Sequence, residues 1–238
     1  MMEPLTFRVD PRTRFPLVEV PGQDFALFWL PLTKVQIEYF LSGDISSRFD
    51  RAWYLERLRA NPRVTFGNLA AQNLAQAFIT DITFNEARVF SRWFGRNYDL
   101  PTNEEWHRAL RIFETVAAHP AFVEQILALP DLHPRARLLV QACEKALPDH
   151  QRMRDLSGRR LSHQMMMSLG ILEYVYMDTA RTRCGACGSS LQIMTSGTPG
   201  QSTTMALRDP DQGDRMAVLG VRSTTAAQVR GTPMEYGG

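Results

Sequence analysis

A chain of 238 residues with 44% hydrophobic and 10% aromatic content is long enough to bury one large core, with room for an insertion. No apolar run approaches the about 18 residues that a membrane helix needs, and the opening MMEPLTFRVDPRTRF lacks the apolar stretch of a secretory leader. A cytoplasmic protein without a membrane partner is therefore expected. The net charge of +2 selects no partner class. Lys34 and Lys145 are the only lysines, so the basic charge is nearly all Arg, which suits planar recognition surfaces but also follows from GC-rich coding.

The first segment, FPLVEVPGQDFALFWLP at 15–31, reads as extended apolar stretches broken by Pro21-Gly22. Thr33 followed by Gln36 predicts a capped helix running through Leu41. From Gly43 to Ala77 the chain is polar, with one short helix expected over Asp50–Ala60. Two further helix starts share one design, Thr83 with Glu86 and Thr102 with Glu105. In each, the Thr hydroxyl can accept an orphan backbone N–H while the Glu reaches back to the cap. The first helix sets Ala87, Phe90, Trp93 and Phe94 on one face, and the second sets Trp106, Ala109 and Leu110. Gly95 and Asn97 can end the first, and Asp99-Leu100-Pro101 forces an extended approach to the second. Beyond Arg111, Val123, Ile126, Leu127 and Leu129 show helical spacing, as do Leu138, Leu139, Ala142, Cys143 and Leu147, with Pro130, Pro134 and Pro148 punctuating the runs. Residues 112–167 are thus expected to form a helical insertion of two or three helices. The Thr/Gly-rich stretch 223–238 is expected to be a flexible tail.

The stretch TFNEARVFSRWFGRNYDLPTNEEWHRALR, Thr83 to Arg111, resembles the signature of the formylglycine-generating-enzyme (sulfatase-modifying factor) family. Asn85-Glu86-Ala87, Phe90, Trp93, Gly95-Arg96, Leu100-Pro101-Thr102, Glu105-Trp106, Ala109 and Arg111 fall in register with it. Three weaker blocks resemble the family in the same order. Pro31-Leu32-Thr33 with Phe40 stands for an N-terminal P-V-T helix, with Lys34 replacing the usual Asn. Leu169 to Tyr176 looks like the core strand G-N-V-W-E-W, and Leu219-Gly220-Val221-Arg222 like the terminal L-G-F-R. Residues 78–82 occupy the place of a short strand before the first signature helix. The resemblance implies a single α+β domain over 1–238 with the C-type-lectin-like fold of the family: a small twisted antiparallel sheet, flanking helices, much irregular loop and, here, the helical insertion.

Catalytic members of the family are copper-dependent oxidases that convert a substrate cysteine to formylglycine through two cysteines near the C-terminal strand. Two converging thiolates suit soft Cu(I). Those positions fall near Gly200 and Met205, and no cysteine lies downstream of Cys187, so formylglycine synthesis is not expected. Cys184-Gly185-Ala186-Cys187 leaves three readings open: turn-forming residues, a structural zinc site shared with His163 or Cys143, and a displaced copper, iron or redox site. The turn Asp209 to Asp214 is acidic enough to bind calcium, but a plain surface turn is the first expectation. No His pair has the H-x3-H-x-E spacing of the iron-binding sulfoxide synthases built on this fold. His119 and His133, each before proline, are expected on surface loops, and His107 is expected to face solvent. Arg152, Arg154, Arg159 and Arg160 are interrupted by Asp149 and Asp155, so nucleic-acid binding is not indicated.

The expected function is a non-catalytic binding or scaffolding module, resembling family domains of bacterial signalling or defence systems, with an unidentified protein partner. Recognition is expected on the loop carrying Gly197, Gln201, Arg208, Asp211 and Arg215, with the insertion as a second surface. The competing expectations are a metal-dependent oxidase acting through Cys184 and Cys187, and a self-associating structural subunit of a larger assembly.

Overall fold

A computed structural model describes residues 5–43, 49–116, 121–154, 171–188, 203–206, 224–226 and 230–231. The first sheet starts with three short strands, β1 (Phe7–Val9), β2 (Pro16–Glu19) and β3 (Ala26–Phe28), paired antiparallel. The predicted break at Pro21-Gly22 is the turn between β2 and β3. Gly22 sits there at φ +69, a backbone state that costs glycine little and a side-chain-bearing residue more.

The helix starts follow the caps. At α1 (Lys34–Ser42) the Gln36 N–H donates to Thr33 Oγ1 at 3.2 Å and the Thr33 N–H to Gln36 Oε1 at 3.0 Å. Asp50 caps α2 (Arg51–Ala60) through the Trp53 N–H at 2.8 Å. Two 3-10 segments follow at Phe66–Asn68 and Ala71–Ala77. The expected strand at 78–82 is reduced to a single bridge between Thr33 and Phe78. Its chain runs straight into the Thr83 cap of α3 (Phe84–Trp93), where Thr83 and Glu86 exchange bonds of 3.1 and 2.7 Å. Gly95, at φ +154, turns the chain out of α3 into β4 (Tyr98–Asp99). Thr102 and Glu105 repeat the cap at 3.2 and 2.7 Å to open α4 (Asn103–Val116).

Helices α5 (Ala121–Leu127) and α6 (Pro134–Arg154) lie where the insertion is expected. Pro148 does not end a helix, because α6 runs through it. His133 is not a plain surface-loop residue. It stacks on Phe15 at 5.4 Å and meets the Tyr39 ring edge-on at 5.8 Å, while its Nδ1 accepts the Arg135 N–H at the start of α6. Burial, then the Arg135 charge, lowers its pKa. His107 is likewise half-buried, with its pKa lowered by burial and by Arg111.

A second sheet comprises β5 (Ile171–Tyr176), β6 (Cys184–Gly188), β7 (Thr203–Ala206) and β8 (Thr224–Ala226), in the order β7-β6-β5-β8. The β5–β8 pair is parallel, unlike the all-antiparallel sheet expected. In the first sheet, β9 (Arg230–Gly231) slots between β3 and β4. Two parts of the stretch read as a flexible tail are therefore strands, and β9 completes a sheet begun more than 200 residues earlier in the chain. The architecture is α+β, with small sheets and helices sharing one main core. Its densest part is an aromatic knot of Phe40, Phe49, Trp53 and Phe90 with ring centroids 4.8 to 5.5 Å apart, arranged mainly edge-to-face as the ring quadrupoles favour. Among the described residues, no helix is long and apolar enough to cross a membrane.

Candidate functional site

The C-terminal sheet is tied to the signature helices at the Leu100-Pro101-Thr102 corner. The Tyr176 N–H donates to the Pro101 carbonyl at 2.9 Å, and Thr102 bridges Tyr176. Tyr174, fully buried, donates its hydroxyl to the Ile82 carbonyl at 2.7 Å. Asp99 Oδ1 accepts the Leu100 N–H at 2.8 Å and the Tyr176 hydroxyl at 3.2 Å. Burial first, and then the Asp99 charge, raises the pKa of Tyr176.

Arg181, in the turn between β5 and β6, locks this corner from above. It sits at φ 57, a left-handed state uncommon outside glycine. Its N–H donates to the Asp178 carbonyl at 3.2 Å, and Asp178 accepts both the Thr182 N–H and hydroxyl at 2.8 Å. Those bonds from Thr182 lower the pKa of Asp178. So held, the Arg181 guanidinium donates to the Leu100 carbonyl, pairs with Glu105 at 3.2 Å and lies 5.2 Å from the Tyr176 ring centroid. Beside it opens a cleft of about 640 Å³ lined by Arg12, Arg92, Gly95, Arg96, Asn97, Tyr98, Asp99 and Arg181. The cleft leaves no signal in the sequence, since its arginines come from three distant segments.

The two cysteines of the C-x-x-C lie within β6, in neither a turn nor a helix start. Side chains three apart on a strand project to opposite faces. Cys184 accordingly packs into the main core, while Cys187 joins Trp106 and Val175 and donates from Sγ to Asn103 Oδ1 at 3.2 Å. The strand separates the two thiols, so the turn reading is corrected and a shared zinc or copper gains no support from the spacing. Cys143, fully buried on α6, has its thiol pushed up to about 12 by burial, which suppresses the nucleophilic thiolate. Among the described residues no group of three or more His, Cys, Asp or Glu side chains could hold a metal ion. His163, the acidic turn 209–214, and Gly197, Gln201, Arg208, Asp211 and Arg215 lie outside the described residues. Of the cysteine positions expected of catalytic relatives, Met205 sits on β7 paired with Ala186 of β6.

Lys34, the departure from the family's Asn, is buried. Its ammonium donates to the Pro62 carbonyl at 2.9 Å and the Gln76 carbonyl at 2.5 Å, bracing the polar stretch against α1. Burial, then the Arg63 charge, lowers its pKa to about 8, with Glu38 opposing. The unfolded chain, near the ordinary 10.5, therefore holds more protons between those values, and this residue's contribution to stability rises as pH climbs from about 8 to 10.5. The stability difference between the wild type and Lys34→Met, measured by urea unfolding, is expected to grow in the wild type's favour between pH 8 and pH 10. A constant difference would contradict the lowered pKa.

Among known proteins, a family model described as a Sulfatase-modifying factor enzyme 1-like domain matches residues 4–120. No curated protein and no solved structure matches the chain. The matched span holds β1 to β4, α1 to α4 and all three Thr-based capping boxes. The C-terminal sheet lies beyond it. Residues 4–120 thus carry a domain of the sulfatase-modifying factor enzyme 1-like type.

Proposed function

We propose that the chain is a non-catalytic binding or scaffolding module that uses the family's C-type-lectin-like frame to present loops to a protein partner. The observation that carries this reading is the fate of the thiols. No cysteine follows Cys187 in the sequence, and the two in β6 fall on opposite faces of one strand. Copper-thiolate chemistry needs both sulfurs on one ion. The helix caps within the matched span are closed and its aromatic core is filled. A frame kept while the reactive pair is missing fits recognition on variable loops carried by a rigid scaffold. The loop around Gly197 to Arg215 and the 112–167 insertion are the proposed recognition surfaces, and a bacterial signalling or defence assembly is the proposed setting.

The test is a copper(I)-reconstituted protein offered a cysteine-containing peptide in air, with an aldehyde-reactive probe as readout. No aldehyde above the copper-only background is expected. Aldehyde formation that Cys184→Ser with Cys187→Ser abolishes would establish the oxidase instead.

A further inference from the structure

We propose that the cleft beside the Asp99–Arg181 corner is a binding site for a small phosphorylated ligand. It draws no residue from the loops invoked above and does not depend on them. Four guanidiniums line it against one carboxylate, Asp99. They arrive from different directions: Arg12 from the turn after β1, Arg92 and Arg96 from the end of α3, and Arg181 from the β5–β6 turn.

Asp99 does not neutralise this set. Its Oδ2 stands 3.6 Å from Arg92 and 3.9 Å from Arg181, while its Oδ1 is engaged by Leu100 and Tyr176. Arg181 is further occupied by Glu105. Neither Arg12 nor Arg96 pairs with a carboxylate among the described residues, and both are exposed. Arg12 is nevertheless held in place, with its guanidinium 5.2 Å from the Trp93 ring centroid and its N–H bound to Asp10 at 3.1 Å. Stacking of this kind lowers the entropy lost when a ligand is gripped.

Planar forks converging from several sides match the tetrahedral array of phosphate oxygens, which accept bidentate bonds in more than one direction. Gly95 lines the cleft without a side chain, and a Cβ there would stand 3.4 Å from the Tyr98 ring. A volume of about 640 Å³ falls within the range of small-molecule sites and exceeds what a lone inorganic ion needs.

Calorimetric titration of the full chain with inorganic pyrophosphate at fixed ionic strength tests the assignment. Saturable binding is expected, weakened by about tenfold or more in Arg12→Ser with Arg96→Ser, as expected for the loss of charge-assisted bonds. Arg51→Ser with Arg59→Ser, removing two exposed arginines of α2 outside the cleft, is expected to bind as the wild type does. Arg96→Ser alone provides a folded comparison, because Arg96 makes no bond to the described residues, and it is expected to show a smaller loss in the same direction. Absence of saturable binding, equal weakening in the cleft and α2 pairs, or unchanged binding in the cleft pair would overturn the site. Citrate binding as tightly as pyrophosphate would overturn the phosphate assignment in favour of a carboxylate ligand.

Discussion

Tyr174→Ala is expected to destabilise the protein by about 3–5 kcal/mol, the range for emptying a buried aromatic site. Tyr174 is fully buried on β5, with its ring edge-on to Phe84 at 5.6 Å and its hydroxyl on the Ile82 carbonyl. The substitution empties the contact between the C-terminal sheet and the residues that lead into α3. Tyr174→Phe keeps the ring and leaves the Ile82 carbonyl without that bond, so about 1–3 kcal/mol is expected. Urea unfolding followed by tryptophan fluorescence checks both, since all four tryptophans lie at or before Trp106. If the C-terminal sheet shares one core with the family frame, the fluorescence transition moves with the β5 mutation. A transition that stays in place would mean that the two parts unfold separately.

That coupling also shows what was legible in the sequence. Thr33, Thr83 and Thr102 announced three helix starts because a capping box is written within four residues and needs no distant partner. The faces of α3 and α4 were equally local, and Phe90, Ala87, Trp106 and Ala109 are buried as their spacing required. The cysteines misled for the converse reason. Cys184-Gly185-Ala186-Cys187-Gly188 is made of small residues that punctuate turns, yet pairing with β5 on one side and β7 on the other stretches it into a strand. Strand propensity is weak against such neighbours. Arg230–Gly231 carries no signal of its place between β3 and β4, which is set by partners far away in the chain. The arginine cleft was invisible on the same grounds: Arg12, Arg92, Arg96 and Arg181 become neighbours only after folding. His133 read as a loop residue because its burial comes from Phe15 and Tyr39, not from its own segment.

Glu86→Ala is expected to cost about 3–5 kcal/mol, because one buried carboxylate serves three partners and its removal strands two of them, the Trp53 indole and the Thr83 N–H. Oε2 closes the α3 cap on the Thr83 N–H at 2.7 Å, while Oε1 accepts the Trp53 indole N–H at 2.8 Å and lies 3.5 Å from Arg57. Arg57 in turn lies 4.9 Å from the Trp53 ring centroid, so α2 and α3 are latched by a single polar group at the edge of the aromatic knot. Alanine leaves the indole donor and the cap donor unpaired and takes from Arg57 the second of its carboxylates, the first being Glu56 at 2.6 Å. Glu86→Gln retains an acceptor for one of these donors and is expected to lose about half as much. Denaturant unfolding of the two variants, with hydrogen exchange at the Trp53 indole, separates the roles. A faster indole exchange in Glu86→Ala than the global stability loss explains would locate the opening at the α2–α3 latch. If Glu86→Ala cost less than a typical exposed cap substitution, about 1 kcal/mol, the latch would add nothing to the capping box.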